Sequence, residues 1–477
     1  MTSDAQPPPR PLRDSFSRQR VTNMELFADL VYIFAVTQLS GYLRSNPTMG
    51  GILRSVLLLG IFWQVWIYTT WITNFADPEC IEIRLLLVAG MLISLAMAAA
   101  LPRAFGDLGL VVGVGYALMQ AGRCLVMVIV LRGGLRRNYE RILIWCVVVG
   151  AFAVAGGLTR GPPRAALWAL AVAIDVTGGL VGFAVPGLGR SHTQDWTIEG
   201  RHFAERCQAF ILIALGETLI ITGGTLSDTH NITGLHAAAF AVAFAGSVAL
   251  WWLYFVRVAE GSARAIASSP DPGRLGRSAF HLIHPVMVAG VIVWSAGDEK
   301  ILASPLSSMS AESAWKILGG PALFLAGHAA FKFAIWRTIP WSRIVGVVVV
   351  ALLALVAAAL PEIALGACAA AAVAAVAATD HRGPPGLLFR IPVGDDADTV
   401  VGQQERYVLQ ALGDREQQVG HGSGGVSAEH ARRQPQLWAV IRADVFLELV
   451  QQVVVVHLFR CLPANTHPVR IWLAWES

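Results

Sequence analysis

The sequence predicts an all-α protein, a polytopic bundle of about twelve transmembrane helices. Three observations carry that expectation. Of 477 residues, 55% are hydrophobic and 14% charged, whereas a soluble chain carries roughly 25% charged residues. Mean hydropathy is +0.57. Apolar runs of about 20 residues recur through the first 380 positions, the length that crosses a hydrocarbon core of roughly 30 Å.

Residues 1–23 read as a polar, proline-rich, basic cytoplasmic tail, and no cleavable signal peptide is visible. The transmembrane domain then runs over 24–380. Its spans fall at roughly 24–43, 51–74, 82–101, 108–131, 141–159, 165–186, 204–226, 235–256, 279–296, 317–336, 342–360 and 362–379. The stretch 342–379 is read as a hairpin of two helices, because Pro361 removes a helix donor and Glu362 is costly at mid-membrane. Residues 381–477 turn polar and glycine-rich. Their one apolar run, VFLELVQQVVVVHLF, holds Glu448 and two glutamines and spans poorly. The segment is expected to be a poorly structured or aberrant C-terminal tail.

Arginine placement orients the bundle. With the N-terminus inside, Arg132, Arg136, Arg137, Arg141, Arg190, Arg201, Arg257, Arg264, Arg274 and Arg277 fall in inside loops, and the loop 227–234 outside has no basic residue. Arg160 and Arg164 lie on the wrong side. Residue 380 is then also inside, and the protein belongs in the bacterial inner membrane. Trp71, Trp168 and Trp341 suit an interfacial belt, while Trp63, Trp66, Trp251 and Trp252 fall deeper. The cysteines are scattered singly without a CxxC pair and read as small buried apolar residues.

Ionisable groups inside spans cost roughly 2.5–3.5 kcal/mol each on insertion scales. Glu25 and Asp29, four apart, share one helical face and repel unless a proton, a cation or an arginine intervenes. In the seventh span, Glu205 and Arg206 stand near the start, and Glu217 lies about 18 Å deeper with no basic neighbour in sequence. Its partner must come from another helix, or it is protonated. Gly216, Gly223 and Gly224 offer a close helix approach. Asp175, in the sixth span, is expected to pair with an arginine or threonine. Gln38, Gln64 and Gln120 read as hydrogen-bonding links between helices. His281 and His284 share a face and are expected to hydrogen-bond more readily than to bind metal. His328 and Lys332 are four apart in the tenth span, where Lys332 either snorkels or neutralises a carboxylate of the first or seventh span. The first and seventh spans are loosely alike, and a six-plus-six parallel repeat would give both the same direction.

The segments MELFADLVYIFAVTQ (24–38), HFAERCQAFILIALGETLI (202–220), HLIHP (281–285) and GHAAFKFAIWR (327–337) resemble the bacterial low temperature requirement protein A (LtrA) family. The resemblance covers roughly residues 20–380 and implies a multi-spanning membrane protein named for growth in the cold. The motif positions it carries over are Glu25, Phe27, Asp29, His202, Glu205, Arg206, Gly216 and Glu217. Ala28 departs from the pattern, which has a second aromatic there.

Three functions fit these residues. The first is an ion- or proton-coupled secondary transporter of an unknown small solute, in which Glu217 and Asp29 load protons or monovalent cations and Arg206 or Lys332 neutralises them. The second is a membrane enzyme or lipid-handling protein, but HExxH, GxSxG and histidine-box patterns are missing from the chain. The third is a non-catalytic integrity or scaffold protein. No P-loop is present, so any pumping would use a gradient. The chain is therefore read as a non-enzyme with no cofactor and no metal. Its partners are the lipid bilayer, ions and a solute, not nucleic acid; the oligomeric state is not legible.

Overall fold

The computed structural model describes residues 12–13, 21–196 and 198–379. The expectations for the C-terminal tail, and for most of the N-terminal one, lie outside the described residues. Among the described residues the chain is helical throughout, with no β-strand.

The first half holds α1 (Asn23–Ser45), α2 (Met49–Phe75), α3 (Ile81–Ala100), α4 (Gly109–Ala117), α5 (Arg123–Val130), α6 (Gly133–Leu158) and α7 (Pro162–Leu180). A π-helical turn, Leu118–Gly122, joins α4 to α5 into one span. The second half holds α8 (Gly200–Ser227), α9 (Gly234–Tyr254), α10 (Glu260–Ala267), α11 (Pro272–Leu275), α12 (His284–Ala303), α13 (Ala311–Trp336), α14 (Trp341–Val356) and α15 (Glu362–Thr379). Further π turns, Phe255–Ala259 and Gly276–Ile283, join α9 to α10 and α11 to α12.

Polar residues start these helices where backbone donors would otherwise be unpaired. Thr22 caps α1 through a reciprocal box with Glu25, Glu199 caps α8, and Ser310 caps α13. The break at 357–361 divides α14 from α15, the hairpin expected at Pro361.

Among the described residues eleven helical segments are long and apolar enough to cross a membrane, so the chain is a polytopic helical membrane protein. The sixth expected span, 165–186, falls on α7, which is helical but not among the eleven. Two prolines, Arg164 and Asp175 dilute its apolar content. Large apolar side chains face outward around the bundle, among them Leu85, Leu92, Leu158 and Leu355. This exposure is unfavourable in water and natural in lipid.

The packing repeats. In the first half α1 lies on α2 and α3, α3 on α4, α4 and α5 on α6, α6 on α7, and α7 on α2. In the second half α8 lies on α9 and α12, α12 on α13, α13 on α14, α14 on α15, and α15 on α9. With α4–α5 as one segment, these neighbours correspond helix for helix, and the second half adds contacts of α13 with α15 and of α12 with α9 and α15. Helix α1 meets α8 and α12 across the halves, and the bonds described below make α1 and α8 parallel, as the six-plus-six expectation requires.

Close approach is achieved by other glycines than those expected. A Cβ on Gly216, Gly223 or Gly224 would meet nothing within 4 Å. A Cβ on Gly290 would stand 2.5 Å from the Phe324 backbone nitrogen, and one on Gly320 would stand 2.5 Å from that of Trp294. The tight seam is therefore α12 against α13. Two further expectations shift. Trp168 is fully buried and donates to the Ala153 carbonyl at 3.0 Å, so it belongs to the core and not to a belt. Arg164, an objection to the orientation, is also buried and gives its guanidinium to the carbonyls of Ala104, Gly106, Gly156, Gly157 and Thr159. Its position is explained by loop closure.

Candidate functional site

Along the contact of α1 with α8, two ionic groups stand one above the other. At the first end, Glu25 and Asp29 of α1 face His202 and Arg206 of α8. Arg206 Nη1 lies 3.1 Å from Glu25 Oε1, and Nη2 donates to Asp29 Oδ1 at 2.6 Å. His202 Nε2 is 3.1 Å from Glu25 Oε1. Glu25 Oε2 accepts from Thr22 and from Arg13, the latter at 3.0 Å. Arg13 is tied down in turn, its backbone N–H donating to Phe75 and its Nε to Ala76.

Helix α2 supplies the supports. Trp66 Nε1 donates to Asp29 Oδ1 at 2.8 Å, and Arg206 reaches Thr73 Oγ1 at 3.3 Å. Asn74 contacts His202 Nδ1 at 3.2 Å and exchanges bonds with the Glu199 backbone. The carboxylate pair thus meets its expected arginine, and each partner is nearly inaccessible: Asp29 is 3% and Arg206 1% exposed. Such pairs persist because removing one member strands the other in a poorly solvating interior.

At the second end the chemistry is reversed. Glu217 of α8 accepts from Thr37 Oγ1 of α1 at 2.6 Å and lies 3.6 Å from Arg44 Nη1, in the last turn of α1. Arg44 Nε also pairs with Glu299 of α12 at 3.2 Å, and Nη1 donates to Ser40. The partner that Glu217 needed from another helix is Arg44. The role weighed for Lys332 is filled by arginines, and Lys332 stands over the Trp336 ring.

The remaining expected residues separate from this axis. Glu205 is partly exposed and pairs with Arg201 one turn away. Asp175 accepts from Tyr116 and Gln120 rather than from an arginine or threonine, and the Gln120 contact is the link between helices expected of it. His281 bonds to Gln64 and His284 to the Cys207 carbonyl, so the two imidazoles turn to different helices. His328 accepts from Arg343 Nε at 3.4 Å within the second half. Cys124 and Cys146 are not isolated: their sulfurs lie 3.7 Å apart. Among the described residues no group of three or more His, Cys, Asp or Glu side chains is placed to hold a metal ion.

One cavity adjoins the first ionic group, and a second lies beside it across Arg123. The larger, of about 240 Å³, lies between α1, α2, α3 and α5 and is bordered by Asp29, Trp66, Thr73, Arg123 and Arg206. Asp29 Oδ2 and Arg206 Nε, both buried, have no hydrogen-bond partner among the described residues. Arg123 closes the cavity on the other side, donating to the Val65 carbonyl at 3.0 Å with its plane over Tyr68. The smaller cavity, of about 80 Å³, lies beyond Arg123 among Tyr68, Tyr139, Cys124, Cys146 and His281.

Sequence reading missed Arg13, Arg44, Arg123 and Trp66. Arg44 and Arg123 had a signal, since each is a charge inside or at the end of an apolar run. Arg13 and Trp66 had none, because only tertiary contact gives them a role.

Comparison with known proteins agrees with this architecture. An uncharacterized protein of Rhizobium meliloti (strain 1021) is 32% identical over 345 residues, covering 70% of this chain and 82% of its own. No solved structure matches the chain. Residues 20–378 match the profile described as bacterial low temperature requirement A protein (LtrA). That match takes in both ionic groups apart from Arg13, and every described helix but the last residue of α15, and the chain belongs to the bacterial low temperature requirement A family.

Proposed function

We propose that the protein is a secondary carrier of the bacterial cytoplasmic membrane, not an enzyme, which couples the movement of protons or monovalent cations to that of a small solute. One observation carries this reading. At the second end of the α1–α8 contact, two carboxylates, Glu217 and Glu299, share a single arginine, Arg44. The trio holds one negative charge in excess, and a proton or a monovalent cation balances it. Loading at Glu217 frees Arg44 to pair with Glu299 alone, and unloading draws it back. Because Arg44 and Thr37 are both on α1, that exchange bears on the contact between the two halves.

The test is proton, Na⁺ and K⁺ flux in proteoliposomes, comparing the intact protein with Glu217→Gln. Loss of flux in a folded Glu217→Gln protein supports the carrier. A second reading, a non-transporting integrity protein, is favoured by the first ionic group, whose two carboxylates are matched by Arg206 and Arg13. It gives no flux under any imposed gradient, and a Glu217→Gln protein altered only in stability.

A further inference from the structure

The larger cavity has two unlike parts. Its inner end is polar: Asp29, Thr69, Thr73, Arg123 and Arg206. Its walls are apolar, built by Ile83, Leu87 and Ile93 of α3 with Met119 of the π turn and Val126 of α5. At its rim Ala89 and Leu118 are exposed, Leu118 to 52%. They stand beside the outward row of Leu85, Val88, Leu92 and Leu125, which is apolar surface of the kind that faces hydrocarbon. The opening is therefore lateral, toward lipid and not toward water.

Two further features mark it as a built site. One water molecule occupies about 10–15 Å³ by this kind of measure, so about 240 Å³ exceeds any single bridging water. The unsatisfied Asp29 Oδ2 and Arg206 Nε both belong to residues that border this space and are more than nine-tenths buried. The widened π turn also ends at Gly122, where an added Cβ would meet nothing within 4 Å, so the backbone leaves room on the cavity side. The charges bordering the space are two guanidiniums and one carboxylate; Arg206 is already engaged by Glu25 and Asp29, so the positive charge without a carboxylate partner among the described ion pairs is that of Arg123.

We infer that this cavity binds an amphiphile with an anionic head, a carboxylate or phosphate ester on an apolar chain, which enters sideways from the bilayer between α3 and α5. The head lies against Arg123 and Arg206, its chain along the α3 wall. The carboxylate of Asp29 sets the head's position by excluding an anion from its own side. The inference deepens the carrier reading by naming the class of its cargo.

The experiment uses the full chain in nanodiscs of zwitterionic lipid, photolabelled with a long-chain diazirine carboxylate. The comparator is a diazirine trimethylammonium amphiphile of equal length, with labelled peptides mapped by mass spectrometry. Expected is labelling of the α3 and α4–α5 segments about tenfold above the ammonium probe, an energy difference of about 1.4 kcal/mol. Gly122→Leu fills the cavity without touching a charge and cuts that labelling by about tenfold as well. Ala89→Trp, at the exposed rim, does the same where Gly122→Leu fails to fold. Unlabelled long-chain carboxylate competes, and acetate or inorganic phosphate does not. Equal labelling by both probes, or unchanged labelling in both folded variants, overturns the proposal. So does full competition by inorganic phosphate, which would show a head-only site. Because binding is read without a gradient, labelling without flux sinks the carrier reading alone, and flux without labelling sinks this inference alone.

Discussion

Replacing Arg206 with glutamine removes the cation shared by Glu25 and Asp29, and the two carboxylates do not suffer equally. Glu25 keeps Arg13 at 3.0 Å, His202 at 3.1 Å and the Thr22 donors. Asp29 keeps only the Trp66 indole at 2.8 Å among the partners described. A unit-charge pair about 4 Å apart attracts by about 4 kcal/mol at an effective dielectric near 20, gross of desolvation. Breaking a buried pair by removing one partner costs about 3–5 kcal/mol, because the survivor is left uncompensated. Arg206→Gln is therefore expected to destabilise by about 3–5 kcal/mol. Asp29→Asn leaves Arg206 its contacts with Glu25 and Thr73 and should cost less, about 1–3 kcal/mol. The double variant should cost less than the sum by about 0.5–3 kcal/mol, since the stranded carboxylate is gone. Unfolding in mixed dodecyl maltoside–dodecyl sulfate micelles, followed by tryptophan fluorescence, measures all three. A cost for Arg206→Gln below about 1 kcal/mol, with strict additivity in the double, would refute the reasoning, because the pair would then be no more than a surface bridge.

The same assay checks three other expectations. Gly290→Ala forces a Cβ against the Phe324 backbone and should cost about 1–3 kcal/mol, whereas Gly216→Ala enters open space and should stabilise by about 0.5–1 kcal/mol. Arg164→Met leaves five carbonyls short of a donor, three of them buried, and should cost about 3 kcal/mol or more. Asp175→Leu strands the Tyr116 hydroxyl and the Gln120 amide, with a cost of about 1–3 kcal/mol that Tyr116→Phe in the same chain partly restores.

The helices were legible from apolar run length, because crossing a bilayer constrains each span locally. The faces were legible too. Glu25 and Asp29 on α1, and His202, Arg206 and Glu217 on α8, each lie within a sector of about 60° at 100° per residue. Glu205 falls about 100° before Arg206, which puts it on another face and accounts for its pairing with Arg201. What the sequence withheld was which helix meets which. Arg44 and Glu217 are far apart in sequence, and both Arg44 and Lys332 were eligible by charge. Only the parallel contact of α1 with α8 selects Arg44. Glycine spacing misled for a related reason: Gly216, Gly223 and Gly224 look like a contact stripe, yet a Cβ on any of them would meet nothing within 4 Å among the described residues, while the tight seam forms between α12 and α13.

The span between Asp29 and Arg206 has a consequence for biosynthesis. Arg206 follows Asp29 by 177 residues, which a ribosome adding about 5–20 residues per second delivers some 10–35 s later. During that interval α1 exists with Asp29 lacking its arginine, and Glu25 is served by the nearby Arg13 and Thr22. The emerging first half is thus an unfinished intermediate. Closure of the ionic lock is thus tied to the synthesis of α8, and a chain truncated before α8 keeps Asp29 without its arginine.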